Sequence, residues 1–132
     1  MLDNLQGYLD ILHRHAGTSR SVFFDNRDAL DSAKYNFVVA IESCVDIGNH
    51  IIASEGLRFP ADYRDVAQVL AESGFISPNL AESFKSMISF RNRLVHMYWQ
   101  VEDELVREYL ENNLRDFSEL AQAFARVVKA AD

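Results

Sequence analysis

The chain has 132 residues and a mass of 15.1 kDa, so we expect one folded domain over residues 1–132. Its 48% hydrophobic content is close to the globular average and excludes a disordered tail or a multidomain enzyme. A single cysteine excludes an internal disulfide and a thiolate metal cluster, which favours a reducing cytoplasm. The formal net charge of -7 argues, at first, against a polyanionic partner.

Apolar periodicity predicts an all-α fold, an up-and-down bundle of about five helices around a four-helix core. The first 17 residues mix charges with apolar residues, so we expect neither a signal peptide nor a membrane-spanning segment. The predicted helices cover about Leu2 to Ala16, Asp25–Asp28 to Ser54 or Glu55, Tyr63 to Glu72, Pro78 to about Met97, and about Glu102 to Val128.

Glycines and prolines mark the ends of these segments. Gly17 to Ser21 is predicted as a polar break, Gly56 as a left-handed cap, and Ser77-Pro78 as the start of the fourth helix. Gly48 is the exception, because it lies on the apolar seam of the second helix. Its position predicts close approach of a neighbouring backbone. Cys44 lies on the same seam and is interpreted as a packing residue.

The fourth predicted helix carries an arginine where an apolar residue is expected. Its apolar stripe reads Leu80, Phe84, Met87, Arg91, Leu94, Tyr98. Burying an unpaired guanidinium is prohibitive, so Arg91 must meet a buried carboxylate, reach a cleft, or lie at an interface between subunits. If it is a core arginine, Asp46 or Glu42 is its expected partner.

Positive charge is concentrated around this arginine. Residues 83–101 contain Lys85, Arg91 and Arg93 and no acidic residue, a charge of +3 that leaves -10 for the rest of the chain. At physiological salt, charges more than about 8 Å apart are largely screened from each other, so such a segment can hold a phosphate in an acidic protein.

The spacing of the polar residues in this segment indicates a shared site. On an ideal helix Asn92 and His96 share one face, and Arg91 and Tyr98 share the adjoining face. Arg91 and His96 diverge by about 140° on the same helix. Both reach one ligand only near a frayed helix end, across a groove, or when a symmetry-related copy supplies half the site, which suggests a dimer.

Arginine, asparagine, histidine and tyrosine together suit phosphodiester chemistry without a metal. An arginine fork stabilises charge on phosphate oxygens, a histidine moves a proton near neutral pH, and an asparagine orients either the imidazole or the substrate. RNA supplies its own nucleophile, the 2′-hydroxyl. The alternative from the residues alone is a core arginine paired with a carboxylate and a histidine with no catalytic role.

The segment Arg91-Asn92-Arg93-Leu94-Val95-His96-Met97-Tyr98 resembles the R-x4-H-x-Y signature of HEPN-domain proteins, and most closely their HepT-like branch. Residues 40–53 are similar to the long second helix of that branch, and the order of helices agrees over nearly the whole chain. The resemblance implies an all-helical homodimer whose paired motifs form one composite cleft.

The same resemblance implies a toxin that cleaves RNA without a metal or cofactor, with Arg91 and His96 as catalytic residues and Asn92 supporting them. Cleavage would leave a cyclic phosphate and a 5′-hydroxyl. Tyr98 would receive AMP units from a separate minimal nucleotidyltransferase, the antitoxin of the pair. No membrane or DNA partner is expected.

Several roles stay open at this point. Lys85 and Arg93 either guide the RNA backbone weakly or are solvated charges, and Asp46, Asn49 and His50 either line the cleft or lie on the bundle surface. The alternative function is a catalytically silent module that binds substrate or serves as a scaffold for a nucleotidyltransferase. A third interpretation is a structural dimer with no RNA role.

Overall fold

The computed structural model describes the backbone of residues 1–131 and the side chains of residues 1–128. That part of the chain contains seven α-helices and no β-strand, so the all-α prediction is confirmed. The helices are α1 (Leu2–Ala16), α2 (Arg20–Phe24), α3 (Arg27–Ser54), α4 (Tyr63–Glu72), α5 (Pro78–His96), α6 (Asp103–Asn112) and α7 (Leu114–Ala131), with a 3₁₀ turn over Tyr98–Gln100.

The bundle is built around α3, which packs against all six other helices. The helices α1, α3, α5 and α7 form a closed ring, and α3 also packs against α7 across it, which is the predicted four-helix core. His15 at the end of α1 contacts Ser32 near the start of α3, while Leu2 lines the same small cavity as Ile47. These two helices therefore run antiparallel, as the up-and-down prediction requires.

The core holds a cluster of aromatic rings at the middle of α3. Phe37 is fully buried and its ring lies 5.4 Å from that of Phe90 and 6.2 Å from that of Phe117. Phe90 in turn stacks on Tyr109 at 4.0 Å between ring centroids. Aromatic pairs at such distances contribute beyond their buried area. They join α3, α5, α6 and α7 and thereby fix α5 at Phe90, next to Arg91.

Most predicted helix ends are confirmed. The Asn26 side chain caps α3 by accepting a hydrogen bond from the backbone N–H of Ala29, and Ser77 caps α5 in the same way. Pro78 is the first residue of α5, where a missing N–H costs nothing. Gly56 follows α3 with a φ of 65°, a backbone conformation that glycine adopts without strain.

The predicted polar break between the first two helices is wrong in part, because it contains the start of α2. Ser19 caps this helix by accepting a hydrogen bond from the N–H of Val22, and Phe23 is buried in the core. A helix of five residues is too short to show a helical period in the sequence.

The single last helix predicted from about Glu102 to Val128 is also wrong, because the chain breaks at Asn113 into α6 and α7. Leu110 and Leu114 flank the break at a spacing of four, so the apolar period continues across it. The break lets α6 turn toward the end of α1. There the buried Arg107 donates hydrogen bonds to the backbone carbonyls of His15 and Ala16, which lack partners within α1.

By length and composition α3 is apolar enough to cross a membrane. In this structure its apolar residues form the centre of the bundle and half of its most apolar window is buried. Cys44 is among them, and burial raises the pKa of its thiol, so it acts as a packing residue.

Gly48 is expected to be intolerant of a side chain. An added Cβ would lie 2.7 Å from Cγ1 of Val66 and 3.2 Å from Cδ1 of Leu70, so the close neighbours of Gly48 are side chains of α4 and not the backbone that the sequence had predicted. Val66 is β-branched and stiff, so α4 has to shift. Overpacking costs about 1–3 kcal/mol, while the helix propensity gained is about 1 kcal/mol. We expect Gly48→Ala to lower the free energy of unfolding by about 1 kcal/mol in urea titrations.

Gly7 provides the matched control on α1. No atom lies within 4 Å of a Cβ built there, so Gly7→Ala should raise stability through helix propensity alone. Equal stabilisation by both substitutions would contradict the close approach at Gly48.

Candidate active site

Helix α5 brings the motif residues to the surface at its C-terminal end. Its buried side, which includes Phe84, Met87 and Phe90, fixes the helix in the core. Arg91 and Asn92 follow in the next turn, and His96 is the last residue of the helix. The positions of Arg91, Asn92 and His96 are therefore set by the packing of a helix rather than by a loop.

Arg91 is held by hydrogen bonds in a partly buried position. Its Nε and Nη2 atoms both donate to Oε1 of Glu42 on α3, at 3.2 and 2.7 Å, and Nη1 donates to Oδ1 of Asn92 at 3.0 Å. The guanidinium carbon also lies 5.2 Å from the centre of the Tyr63 ring. Three hydrogen bonds and one ring contact thus fix the guanidinium plane of Arg91.

The partner of Arg91 is Glu42 rather than Asp46, which is exposed on α3. The Arg91 side chain is 15% exposed and that of Glu42 is 38% exposed, so the pair lies at the edge of the core. Of the three environments predicted for Arg91, a buried carboxylate, a cleft or a subunit interface, the structure shows a carboxylate partner, and that carboxylate is partly exposed to solvent. An arginine so placed can still be reached from outside.

His96 is exposed at the end of α5, where the chain leaves the helix. Met97 has φ -138° and ψ 43°, outside the helical region, so the residues after His96 turn away. Val95, Met97 and Trp99 are exposed beside it, Trp99 by 80%. The end of α5 is therefore an apolar surface with a histidine in it.

Tyr98 lies in the 3₁₀ turn and not on the helical stripe, so its predicted face is wrong. Because α5 ends at His96, the side chain of Tyr98 lies against the first turns of α3. The hydroxyl donates a hydrogen bond of 2.6 Å to Oδ1 of Asp31, and the Lys34 ammonium lies 4.5 Å from the ring centre. Burial, followed by the bond to Asp31, raises the pKa of Tyr98 to about 12.

Lys34 is a buried cation next to this tyrosine, with only 2% of its side chain exposed. Its ammonium lies 3.8 Å from Oδ1 of Asp103 at the start of α6. The ring of Tyr98 and the carboxylate of Asp103 together compensate the buried charge. Sequence reasoning missed both Asp31 and Lys34, since each lies more than 60 residues before Tyr98 without a local motif.

The arginine and the tyrosine contact different parts of α3. Lys34 and Glu42 are eight residues apart on this helix, which corresponds to about 12 Å along its axis. The structure therefore places Arg91 and Asn92 at one contact with α3 and Tyr98 at another. His96 lies between them in sequence and is exposed at the end of α5.

Residues 83–101 contain no acidic residue, but acidic residues from other parts of the chain contact this segment in the structure. Lys85, predicted to guide RNA, donates hydrogen bonds to Oε1 of Gln68 at 2.8 Å and to Oε1 of Glu82 at 3.2 Å. Glu42 and Asp31 face two further residues of the segment. Arg93 is exposed and forms no ion pair with the described side chains of residues 1–128. Two of the three positive charges are thus paired with carboxylates, Lys85 with Glu82 on the same helix and Arg91 with Glu42 on α3.

Asp46, Asn49 and His50 are all exposed on α3. Asn49 lines an apolar cavity of about 700 Å³ between the end of α3 and the start of α4, and Tyr63 forms part of its wall. None of these three residues is among the hydrogen-bond partners of Arg91. Among the described residues, no three His, Cys, Asp or Glu side chains are grouped as a metal site would require.

Comparison with known proteins assigns the family. The family model described as ribonuclease HepT-like matches residues 5–124. The chain belongs to the HepT-like ribonuclease family. The match includes all of α1 to α6 except the first three residues of α1, and the whole motif from Arg91 to Tyr98.

Individual relatives of this HepT-like chain agree with the assignment. It is 33% identical over 100 residues to a protein named mRNA nuclease HepT from Shewanella oneidensis, covering 76% of this chain and 72% of that one. A tri-AMPylated HEPN toxin from the same organism, solved in complex with MNT antitoxin, superposes with a TM-score of 0.85 at 26% identity, covering 98% and 93%. A toxin-antitoxin structure with AMP-PNP gives 0.83 at 27% identity, covering 98% and 94%.

Proposed function

We propose that this HepT-like chain is the toxin of a toxin-antitoxin pair and acts in the cytoplasm as an endoribonuclease that needs no metal ion. The observation that carries the proposal is the family match across residues 5–124 together with an intact R-x4-H-x-Y motif. The relatives are named as an mRNA nuclease and as a HEPN toxin in complex with an antitoxin.

Arg91 and His96 are the proposed catalytic residues, with Asn92 supporting the arginine. Arg91 stabilises negative charge that develops on the phosphate, and the bond from Asn92 Oδ1 helps to hold its guanidinium plane. In the reaction the 2′-oxygen of RNA bonds to phosphorus, the bond to the 5′-oxygen breaks, and His96 moves the proton between these oxygens. The products are a cyclic phosphate and a 5′-hydroxyl.

A homodimer completes the proposed site. Arg91 is partly buried against α3, while His96 is exposed at the helix end among Val95, Met97 and Trp99. Contact between two such ends would cover these apolar side chains and bring two motifs into one cleft. Arg93 would contribute weakly to RNA binding there, and Lys85 less so because it already has partners.

A separate nucleotidyltransferase antitoxin is the proposed regulator, and Tyr98 is its proposed target. An AMP unit on the phenol adds bulk and negative charge near the cleft and would repel the RNA backbone. The tri-AMPylated state of a relative supports this part of the proposal.

The first experiment is cleavage of RNA by the purified wild-type protein in excess EDTA. We expect cleavage at an unchanged rate, with cyclic phosphate and 5′-hydroxyl ends identified by end-labelling and mass spectrometry, because arginine and histidine supply the charge and the proton transfer. Loss of cleavage in EDTA, restored by added metal, would contradict the metal-independent mechanism.

The competing function is a catalytically silent scaffold for a nucleotidyltransferase. The observation that favours it is the bond of Arg91 to Glu42, which occupies two of the donors that a phosphate would use. A clean wild-type preparation that cleaves no RNA under any metal condition, yet binds the nucleotidyltransferase, would establish the scaffold.

A further inference from the structure

The hydroxyl of Tyr98 has a defined acceptor, the carboxylate of Asp31. The donor and acceptor oxygens are 2.6 Å apart, within the usual range for a hydroxyl bonded to a carboxylate. Asp31 lies in the first turns of α3 and its side chain is 48% exposed. The phenolic proton therefore points at a group that can accept it and can pass it on to solvent.

Further charged side chains lie near the Tyr98 hydroxyl. Arg27 lies one turn before Asp31, with Nε 3.7 Å from Oδ1, and Lys34 lies over the face of the Tyr98 ring. Oδ1 of Asp103 lies 3.8 Å from the Lys34 ammonium. These four residues, from α3 and α6, are the charged groups packed around the tyrosine. Both cations would favour negative charge that develops on the phenol oxygen and on an attached phosphate.

We propose that Asp31 is the group that takes the phenolic proton when Tyr98 accepts its first AMP unit. This inference rests on the proposed modification of Tyr98 and adds that the target protein supplies its own proton acceptor. An aspartate that accepts the proton of a substrate hydroxyl is an established arrangement for phosphoryl transfer from a nucleoside triphosphate.

The step balances with ATP as the co-reactant. The Tyr98 oxygen attacks the α-phosphorus, a new O–P bond forms, and the bond to pyrophosphate breaks. The proton moves along the existing hydrogen bond to Asp31 and from there to water. An acceptor is needed because burial and the bond to Asp31 raise the pKa of Tyr98 to about 12, so little phenolate is present at neutral pH.

Lys34 is a positioning residue in this arrangement. Its buried ammonium lies over the ring, 4.5 Å from the ring centre, and 3.8 Å from Oδ1 of Asp103. This contact keeps the ring in the orientation that directs Oη at Asp31. The first transfer consumes the phenol oxygen, so Asp31 should affect that transfer alone.

The test measures the rate of the first AMP transfer to the full-length protein. Wild type and Asp31→Asn are incubated with the partner nucleotidyltransferase, ATP and Mg²⁺, and Tyr98 modification is followed by intact-mass and peptide mass spectrometry. The asparagine can still accept a hydrogen bond but cannot take the proton. We expect the first transfer to slow by about 10²-fold or more.

Asp28→Asn is the matched control, because it makes the same change one turn earlier on α3, at an exposed carboxylate that is not the acceptor of the Tyr98 hydroxyl. Its rate should stay within about threefold of wild type. The ratio of the Asp31→Asn rate to the wild-type rate should also rise between neutral and alkaline pH, since the variant depends on phenolate formed by solvent. A structural role would not produce this pH dependence.

The outcomes separate this inference from the function on which it rests. Normal modification of Asp31→Asn, equal slowing of both variants, or a rate ratio that does not change with pH overturns the role of Asp31 and leaves the modification of Tyr98 standing. A wild-type protein that the nucleotidyltransferase never modifies overturns both. Circular dichroism melting curves check that each variant is folded.

Discussion

Arg91→Ala and His96→Ala should each abolish detectable RNA cleavage. Removing a group that stabilises transition-state charge, or one that transfers a proton, costs about 10²–10⁴-fold in rate. Initial rates on a fluorogenic RNA in EDTA provide the measurement. Arg91→Lys keeps the charge but loses the planar fork that bonds to Glu42 and Asn92, so we expect it to be severely impaired as well.

Alanine variants of one exposed arginine and one exposed histidine outside the motif serve as the matched controls. Arg115 on α7 is 88% exposed and His13 lies on the surface of α1. Their alanine variants should cleave RNA at the wild-type rate. Glu42 remains 38% exposed and can be solvated when Arg91 is removed, so thermal melting should show an intact fold. Cleavage retained by both motif variants would refute the catalytic assignment.

Tyr98→Phe should make the toxin resistant to its antitoxin. The substitution removes only the hydroxyl, and without that oxygen no O–P bond to AMP forms. We expect cells that co-express this variant with the nucleotidyltransferase to stop growing, whereas wild-type toxin is neutralised. Intact-mass spectra should show AMP units on the wild type alone.

Tyr35→Phe is the control for this experiment, since Tyr35 lies on α3 with its side chain exposed and has no proposed role. It should be modified and neutralised like the wild type. Modification of Tyr98→Phe at another residue, with normal neutralisation, would contradict the assignment of Tyr98.

The helices were predictable where capping residues and periodicity agree. Ser77 and Pro78 define the start of α5, and Asn26 and Gly56 enclose α3, so both helices could be located from sequence. The break at Asn113 could not, because the apolar spacing is continuous across it. Local signals determine helix ends, whereas a change of direction between two helices depends on contacts distant in sequence.

The candidate site was predictable only along one helix. The motif on α5 identified Arg91. Because a buried guanidinium needs a carboxylate partner, Glu42 was one of two residues predicted to pair with it. The pairing of Tyr98 with Asp31 was not predictable, because it depends on where α5 ends and which turn of α3 lies opposite. Exposed acids on a long helix give no sequence signal of such a contact.

The pairing of Arg91 with Glu42 also determines how RNA binding responds to salt. A cation that already has a carboxylate partner releases few condensed counterions from RNA when it contacts a phosphate. Lys85 is in the same situation. The affinity of this acidic protein for RNA should therefore change little with ionic strength, and general attraction to the polyanion contributes little to the choice of target.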